Sequence, residues 1–248
     1  MIPKIIHYCW LSNDPIPADL LKYIDTWKEK LPDYKIMKWD FSVFEKSSSA
    51  WVSQAFDNKK YAFAADFIRL YAVYHYGGIY LDSDVEVLKS FDPYLQLPTM
   101  IGWQYNKDGL EVAAFGAEKE QAWIGDCLDY YKDRTFVKSD GSFDQKTLPL
   151  IVEDVLKSHH YQLIDVHNIQ EAEEVKGEKD IPVFTTDYFS PKSAEGVITL
   201  TENTVSIHHF AASWTSPTHR FIRKMVLLIG GPKLKRFASR IYALIHKS

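Results

Sequence analysis

Asp82 and Asp84 flank Ser83 at the end of the short apolar run Ile79-Tyr80-Leu81. If that run is a strand, its period of two sends both carboxylates to the same side of the chain. Two convergent carboxylates are a site for a hard divalent cation. Mg²⁺ and Mn²⁺ suit such oxygen ligands, and they commonly keep positions open for substrate phosphates. The guest expected here is therefore a metal-bound diphosphate. An Asp-x-Asp tripeptide standing alone is more often a solvated turn, so its neighbours decide. Asp66 and Arg69, just upstream, are three residues apart. On a helix they share a face, and as an exposed pair they would contribute only about 0.2–0.5 kcal/mol.

Tyr61, Ala65, Ile68, Ala72 and His75 recur at helical spacing with no intervening proline, and Gly77-Gly78 stops the run. The pattern predicts a helix over Tyr61–Tyr76, then a strand over Ile79–Leu81 that ends at the aspartates. Strand ends are where α/β sheets hold ligands. Further strands are expected at Lys4–Trp10, Lys35–Trp39, Met100–Trp103, Val112–Phe115 and Val205–His209. Helices are expected at Ala18–Lys30 and near Glu120–Lys132 and Asp144–Ser158, with loops at Asp133–Ser142 and Glu171–Asp180. The alternation indicates an α/β chain without internal repeats.

The spacing Ala65-Asp66, Arg69, Val73, Gly77-Gly78-Ile79-Tyr80 and Asp82-Ser83-Asp84 resembles the sugar-binding region of DXD-motif glycosyltransferases. Members include capsular-polysaccharide transferases and initiating α-1,6-mannosyltransferases, with the glucosyltransferase domains of clostridial toxins more distant. Ile2–Trp10 is similar to the family's first strand, and Ile207-His208-His209-Phe210-Ala211-Ala212-Ser213-Trp214 to its late metal-binding segment. The resemblance implies a Rossmann-like GT-A nucleotide-sugar transferase fold. Residues 1–218 would form one catalytic domain, followed by a basic amphipathic helical tail over 219–248.

The same resemblance implies the roles. Asp84 is the direct Mn²⁺ or Mg²⁺ ligand, and Asp82 contacts the ribose or donor sugar and reaches the metal through water. Asp66 and Arg69 hold sugar hydroxyls, with Tyr80 and Ser83 beside the donor. His209 is the candidate second protein ligand, although strand alternation turns His208 and His209 to opposite sides and leaves one of them for another task. Ser213 and Trp214 would approach the diphosphate as hydroxyl and indole donors. Trp10 would stack on the base of a UDP- or GDP-sugar, though core packing is the ordinary use of tryptophan. Transfer of a hexose with retention to a glycan or lipid-linked glycan, in surface polysaccharide synthesis, is the activity implied. Glu111-Val112-Ala113-Ala114-Phe115 departs from the family pattern, where an asparagine and a small residue are usual, and no catalytic base can be named.

Composition fits a folded enzyme: 248 residues, 46% hydrophobic and 15% aromatic. Two cysteines, Cys9 and Cys127, are too few for a disulfide framework, which suits a reducing compartment. No secretory signal pattern and no membrane-spanning run are visible, so a cytoplasmic location is expected. All 33 acidic residues lie at or before Glu202, whereas eight of the 29 basic ones lie in Arg220–Ser248. There Leu234, Phe237, Ala238, Ile241, Tyr242 and Ile245 form one helical face, which could rest on an anionic membrane or pack against protein. The acidic body argues against nucleic acid as a partner. Two alternatives compete with glycosyl transfer. One is a haloacid-dehalogenase-like phosphohydrolase, with Asp82 as nucleophile, Asp84 as acid and Gly125-Asp126 as a later motif. The other is a sugar-binding protein without turnover.

Overall fold

The computed structural model describes residues 1–107, 109–193 and 195–211. The chain runs β1 (Ile5–Cys9), α1 (Ala18–Lys30), β2 (Lys35–Trp39), α2 (Ala50–Asp57), α3 (Tyr61–Tyr76), β3 (Gly78–Leu81) and β4 (Val85–Val87). It continues through β5 (Thr99–Met100), β6 (Ala114–Ala117), α4 (Ala122–Tyr130), α5 (Leu148–Ser158), β7 (Gln162–Val166), α6 (Ile169–Glu174), β8 (Asp180–Phe184), α7 (Thr186–Phe189) and β9 (Ser206–His208). A central sheet of order β2-β1-β3-β6-β5 is parallel across β2, β1 and β3 and antiparallel on the side of β6 and β5. A β4–β9 antiparallel ribbon and a β7–β8 parallel ribbon complete it. The architecture is thus mixed α/β with a parallel-rich sheet, as the sequence pattern indicates.

Strand alternation sorts the core onto both faces of this sheet. Ile6, Ile79, Leu81 and Ala114 join α1 and the β4–β9 ribbon on one face, whereas Tyr80 and Phe115 join α2, α3, α4 and α5 on the other. In α1, Leu20, Ile24 and Trp27 supply the buried stripe, with Asp19 in the first turn and Lys28 and Lys30 in the last, complementing the helix dipole. Helix α3 is wrapped by its neighbours and buries eight of its 16 residues, Asp66 and Arg69 among them. The Asp66–Arg69 pair is therefore internal, not the exposed surface pair that spacing alone suggests.

Several boundaries depart from expectation. The segment Glu171–Asp180 is not all loop: α6 reaches Glu174, capped by Asn168, whose side chain accepts from the Glu171 amide at 2.9 Å. Its six residues are too few to show a helical period. Strand β5 stops at Met100, and β4, with three residues, is too short to be seen as an alternating run. The Val205–His209 strand contracts to β9. Among the described residues no helix is long and apolar enough to cross a membrane.

Gly77-Gly78 does more than end α3. Gly77 has φ +62° and Gly78 φ +105°, and a Cβ on Gly78 would lie 2.7 Å from the Ile5 carbonyl and 3.1 Å from His7 Nε2. The pair lets β3 pass tightly beside β1. His7 is structural: Nε2–H donates to the Gly77 carbonyl at 2.8 Å, and Nδ1 accepts from the Trp39 indole at 3.0 Å. Burial lowers its pKa to about 4 and keeps the ring neutral. Gly141 also has positive φ, at +82°, but open space around it. Gly78→Ala should therefore lower stability by about 1–3 kcal/mol more than Gly141→Ala, read as urea midpoints at equal m. Equal losses would show that the close approach to β1 costs nothing.

Candidate active site at the end of strand β3

At the carboxyl end of β3 the chain leaves the sheet. The Val85 amide closes a turn onto the Asp82 carbonyl at 2.9 Å, so Ser83 and Asp84 lie in a turn. The two carboxylates converge through this reversal and not by strand alternation, which corrects the sequence-based route to the same result. Ser83 is half-buried between them.

Asp82 faces α3. Its Oδ1 accepts from Tyr80 Oη at 2.9 Å, and its Oδ2 lies 3.3 Å from Arg69 Nη1. Arg69 Nη2 meets Asp66 Oδ1 at 3.0 Å, Nη1 donates to the Val112 carbonyl at 3.0 Å, and the guanidinium sits 4.7 Å from the Tyr80 ring centroid. The Arg69 Nε–H is buried and has no hydrogen-bond partner among the described residues. Burial raises the Asp66 carboxyl to about 6, because desolvation outweighs the attraction of Arg69. Asp82 is raised too, by desolvation first and by the Asp84 charge, against the pull of Arg69. Tyr80 is 1% exposed and stands behind Asp82 as a support.

Asp84 faces the β4–β9 ribbon. Its Oδ2 accepts from the Ala211 amide at 2.6 Å, and its Oδ1 lies 3.6 Å from His208 Nε2. Asp82, Asp84 and His208 each offer one ligand atom, and these atoms all lie within 4.8 Å of one another. The histidine of this group is therefore His208 and not the expected His209. Alternation does separate the doublet. His209 turns to the other side of the ribbon, where Nε2 meets Glu86 Oε2 at 2.8 Å and the ring stacks on Tyr23 with centroids 4.3 Å apart. Burial lowers its pKa, so it is the neutral member of the two.

Glu111 is the charged side chain of this cluster that motif reading passed over. It is wholly buried, accepts from the Ala113 amide at 3.0 Å, and holds both oxygens 3.2 Å from His208 Nδ1. Burial disfavours its ionised form, yet the charge on His208 and the hydrogen bonds win, and the carboxyl titrates below its ordinary range. Burial likewise disfavours the His208 cation, but Glu111 and then Asp84 and Asp82 overcome it and raise the ring to about 9. The one sequence signal was a charge inside the apolar run Leu110–Phe115.

Trp10, beyond the end of β1, lies half-exposed with its indole donating to the Asp14 carbonyl at 2.8 Å. It lines a cleft of about 500 Å³ with Ser12, Asn13, Lys38, Asp40 and Phe41 among others. The register Ile6↔Ile79 and His7↔Tyr80 runs β1 parallel to β3, so Trp10 leaves the sheet at the same end as the aspartates, but none of Asp66, Asp82, Asp84 and His208 lines this cleft. Ser213, Trp214 and the basic tail lie outside the described residues. Asp126, the acid required by the phosphohydrolase alternative, is on α4 bonded to Tyr161 Oη at 2.7 Å and does not belong to the Asp82–Asp84–His208 group.

Residues 17–101 match the family described as glycosyltransferase sugar-binding region containing DXD motif, and this stretch carries Asp66, Arg69, Asp82 and Asp84. The family resemblance read from the motif residues therefore holds, and the related enzymes are glycosyltransferases. The chain is 35% identical over 105 residues to a mannosyl phosphorylinositol ceramide synthase of Saccharomyces cerevisiae, covering 41% of this chain and 27% of that protein. It is 36% identical over 107 residues to inositol phosphoceramide mannosyltransferase 3 of Schizosaccharomyces pombe, covering 40% and 29%. Against an initiation-specific alpha-1,6-mannosyltransferase of Candida albicans it is 28% identical over 146 residues, covering 53% and 36%. The matched stretches thus span about a third or less of the length of these relatives. A solved PaToxG glycosyltransferase superposes with a TM-score of 0.48 at 22% identity, over 64% of this chain and 69% of its own.

Arg69 is 6% exposed, and its removal would strand two carboxylates. Arg69→Met should cost about 3–5 kcal/mol in denaturant unfolding. A loss below about 1 kcal/mol would mean that the network is not held together by this charge.

Proposed function

We propose that the chain is a metal-dependent glycosyltransferase of Rossmann-like GT-A fold, moving a hexose from a nucleoside-diphosphate sugar to a glycan or lipid-linked glycan. The observation that carries this reading is the convergence of Asp82, Asp84 and His208 at the carboxyl end of β3, in a sheet that is parallel across β2, β1 and β3. Two carboxylates and an imidazole form a donor set that suits Mn²⁺ and, less closely, Mg²⁺. Asp84 and His208 would hold the ion, with Asp82 as a direct or water-mediated third ligand. A divalent ion bound there would neutralise charge gathering on the departing diphosphate.

The protein's own residues account for the rest of the donor site. In glycosyl transfer the bond from the anomeric carbon to the diphosphate breaks, the electron pair leaves with the phosphate, and an acceptor hydroxyl forms the new bond as it loses its proton. Asp66 and Arg69 are assigned to donor-sugar hydroxyls, which they would reach from the α3 side of Asp82. Trp10 is assigned to the nucleobase, with Ser83, Ser213 and Trp214 near the diphosphate. Retention of anomeric configuration is part of the proposal, as is a catalytic domain over 1–218 working at the cytoplasmic face of a membrane in surface polysaccharide synthesis. Because the relatives named above are mannosyltransferases, mannosyl donors head the candidates, and ceramide-linked inositol phosphates join lipid-linked glycans as acceptors to try.

Donor hydrolysis across UDP- and GDP-sugars with Mn²⁺ tests the class. One donor should release nucleoside diphosphate in a chelator-sensitive way, and Asp84→Ala should reduce the rate at least about a hundredfold. Intact donors with cleavage of a simple phosphomonoester would install the phosphohydrolase reading, and donor binding without turnover towards any acceptor would favour a binding protein. Metal uptake has a pH signature as well. His208 must lose the proton it holds up to about pH 9, so Mn²⁺ half-saturation should rise about tenfold for each unit of pH lowered below that value. A flat profile between pH 6.5 and 8.5 would remove His208 from the ligand set.

The tail supports a membrane-docking proposal by its sequence pattern alone. Co-sedimentation with anionic vesicles should fall when Leu234–Ser248 is deleted, and unchanged sedimentation would end that part of the proposal.

A further inference from the structure

Glu111 occupies a position where a carboxylate is costly. It is 0% exposed, and an unpaired buried carboxylate would cost far more than an apolar side chain of the same shape. Its surroundings hold it rigidly. The Glu111 amide donates to the Gly102 carbonyl at 2.7 Å, and the next turn of chain places the Ala113 amide on Oε1 at 3.0 Å. The same segment lies against the aspartate turn, because the Asp82 amide donates to the Ala113 carbonyl at 2.8 Å. From this fixed position both carboxylate oxygens face His208 Nδ1 at 3.2 Å. Nδ1 must therefore carry hydrogen, since a bare Nδ1 would set its lone pair against a carboxylate. The other nitrogen, Nε2, is the one that faces Asp84 Oδ1 at 3.6 Å.

We infer that Glu111 is a positioning residue for the cation site: by accepting from His208 Nδ1–H it fixes the ring's orientation and keeps hydrogen on Nδ1, so that Nε2 faces the Asp82–Asp84 pair and is the nitrogen that gives up its proton to an arriving ion. This rests on the metal-dependent reading above. Carboxylate–histidine–metal chains of this kind orient the ligand and raise its basicity, and loss of the outer carboxylate typically weakens metal binding 10–100-fold. A packing role for Glu111 would instead act on fold stability and leave metal affinity alone.

The test is Mn²⁺ binding by the full chain, followed by calorimetry or by the loss of free-ion paramagnetic signal, with metal-free thermal melts run in parallel. Wild type, Asp84→Ala, His208→Ala, Glu111→Gln, Glu111→Leu and the Glu111→Gln/His208→Ala double variant are compared. Compared as pH-independent affinities from a pH series, which removes proton competition at the ring, Glu111→Gln keeps the shape and should fold, yet bind Mn²⁺ about tenfold more weakly, and Glu111→Leu up to about a hundredfold more weakly. In the His208→Ala background Glu111→Gln should have no further effect, because its action runs through that ring. Wild-type affinity in Glu111→Gln, whatever its melting temperature, would overturn the inference, and so would an undiminished effect in the double variant. If wild type and Asp84→Ala bind Mn²⁺ equally poorly, the metal site itself fails and the inference with it. If they differ while the Glu111 variants match wild type, only the inference fails.

Discussion

A guanidinium removed from water has to find its acceptors inside the protein, and Arg69 finds them on three separate segments. Asp66 comes from its own helix, Asp82 from the end of β3, and the Val112 carbonyl from the chain entering β6, while the Tyr80 ring lies beneath. Each acceptor also depends on the cation, since carboxylates buried without it would not stay charged. This mutual requirement ties α3 to the sheet at the point where the sheet ends. The position of Asp82, and so of the whole aspartate turn, follows from it.

The second aspartate is held by different parts of the fold. A turn after Asp82 swings Asp84 away from α3 and towards β9, more than a hundred residues later, where His208 and the Ala211 amide receive it. His208 in turn leans on Glu111, so four acids and two cations make one continuous electrostatic path from Asp66 to Glu111. Each cation stands between two acids, which lets so many charges share a partly buried volume, and the two aspartates are the one place where like charges adjoin. This arrangement also leaves the middle of the path, between Asp82, Asp84 and His208, richest in acceptors and best suited to a divalent ion.

The match to the DXD family covers residues 17–101, which contain the helix, the strand and the aspartates but neither Glu111 nor His208. The helix, the strand and both aspartates thus lie within the matched stretch, whereas Glu111 and His208 are brought to them from residues beyond it.

Local patterns in the sequence determined a good deal. Helices α1 and α3 and strand β2 have the bounds that apolar periodicity and the glycine stops predict, because each is long enough, or sharply enough ended, for its period to show. The aspartates, Asp66 and Arg69 were legible from spacing within a single unit of structure. Short elements such as β4 and α6 were not, since three or six residues carry too little pattern. The choice between His208 and His209 was undecidable from the chain alone: alternation says that they part, but not which side faces Asp84. Only the pairing of β9 with β4 settled that, through the register Val85↔His208. Glu111 shows the same limit. In sequence it is a misplaced charge among apolar residues, and it becomes intelligible when β6 lies antiparallel to β3 and the entering chain brings it to the histidine 97 positions away.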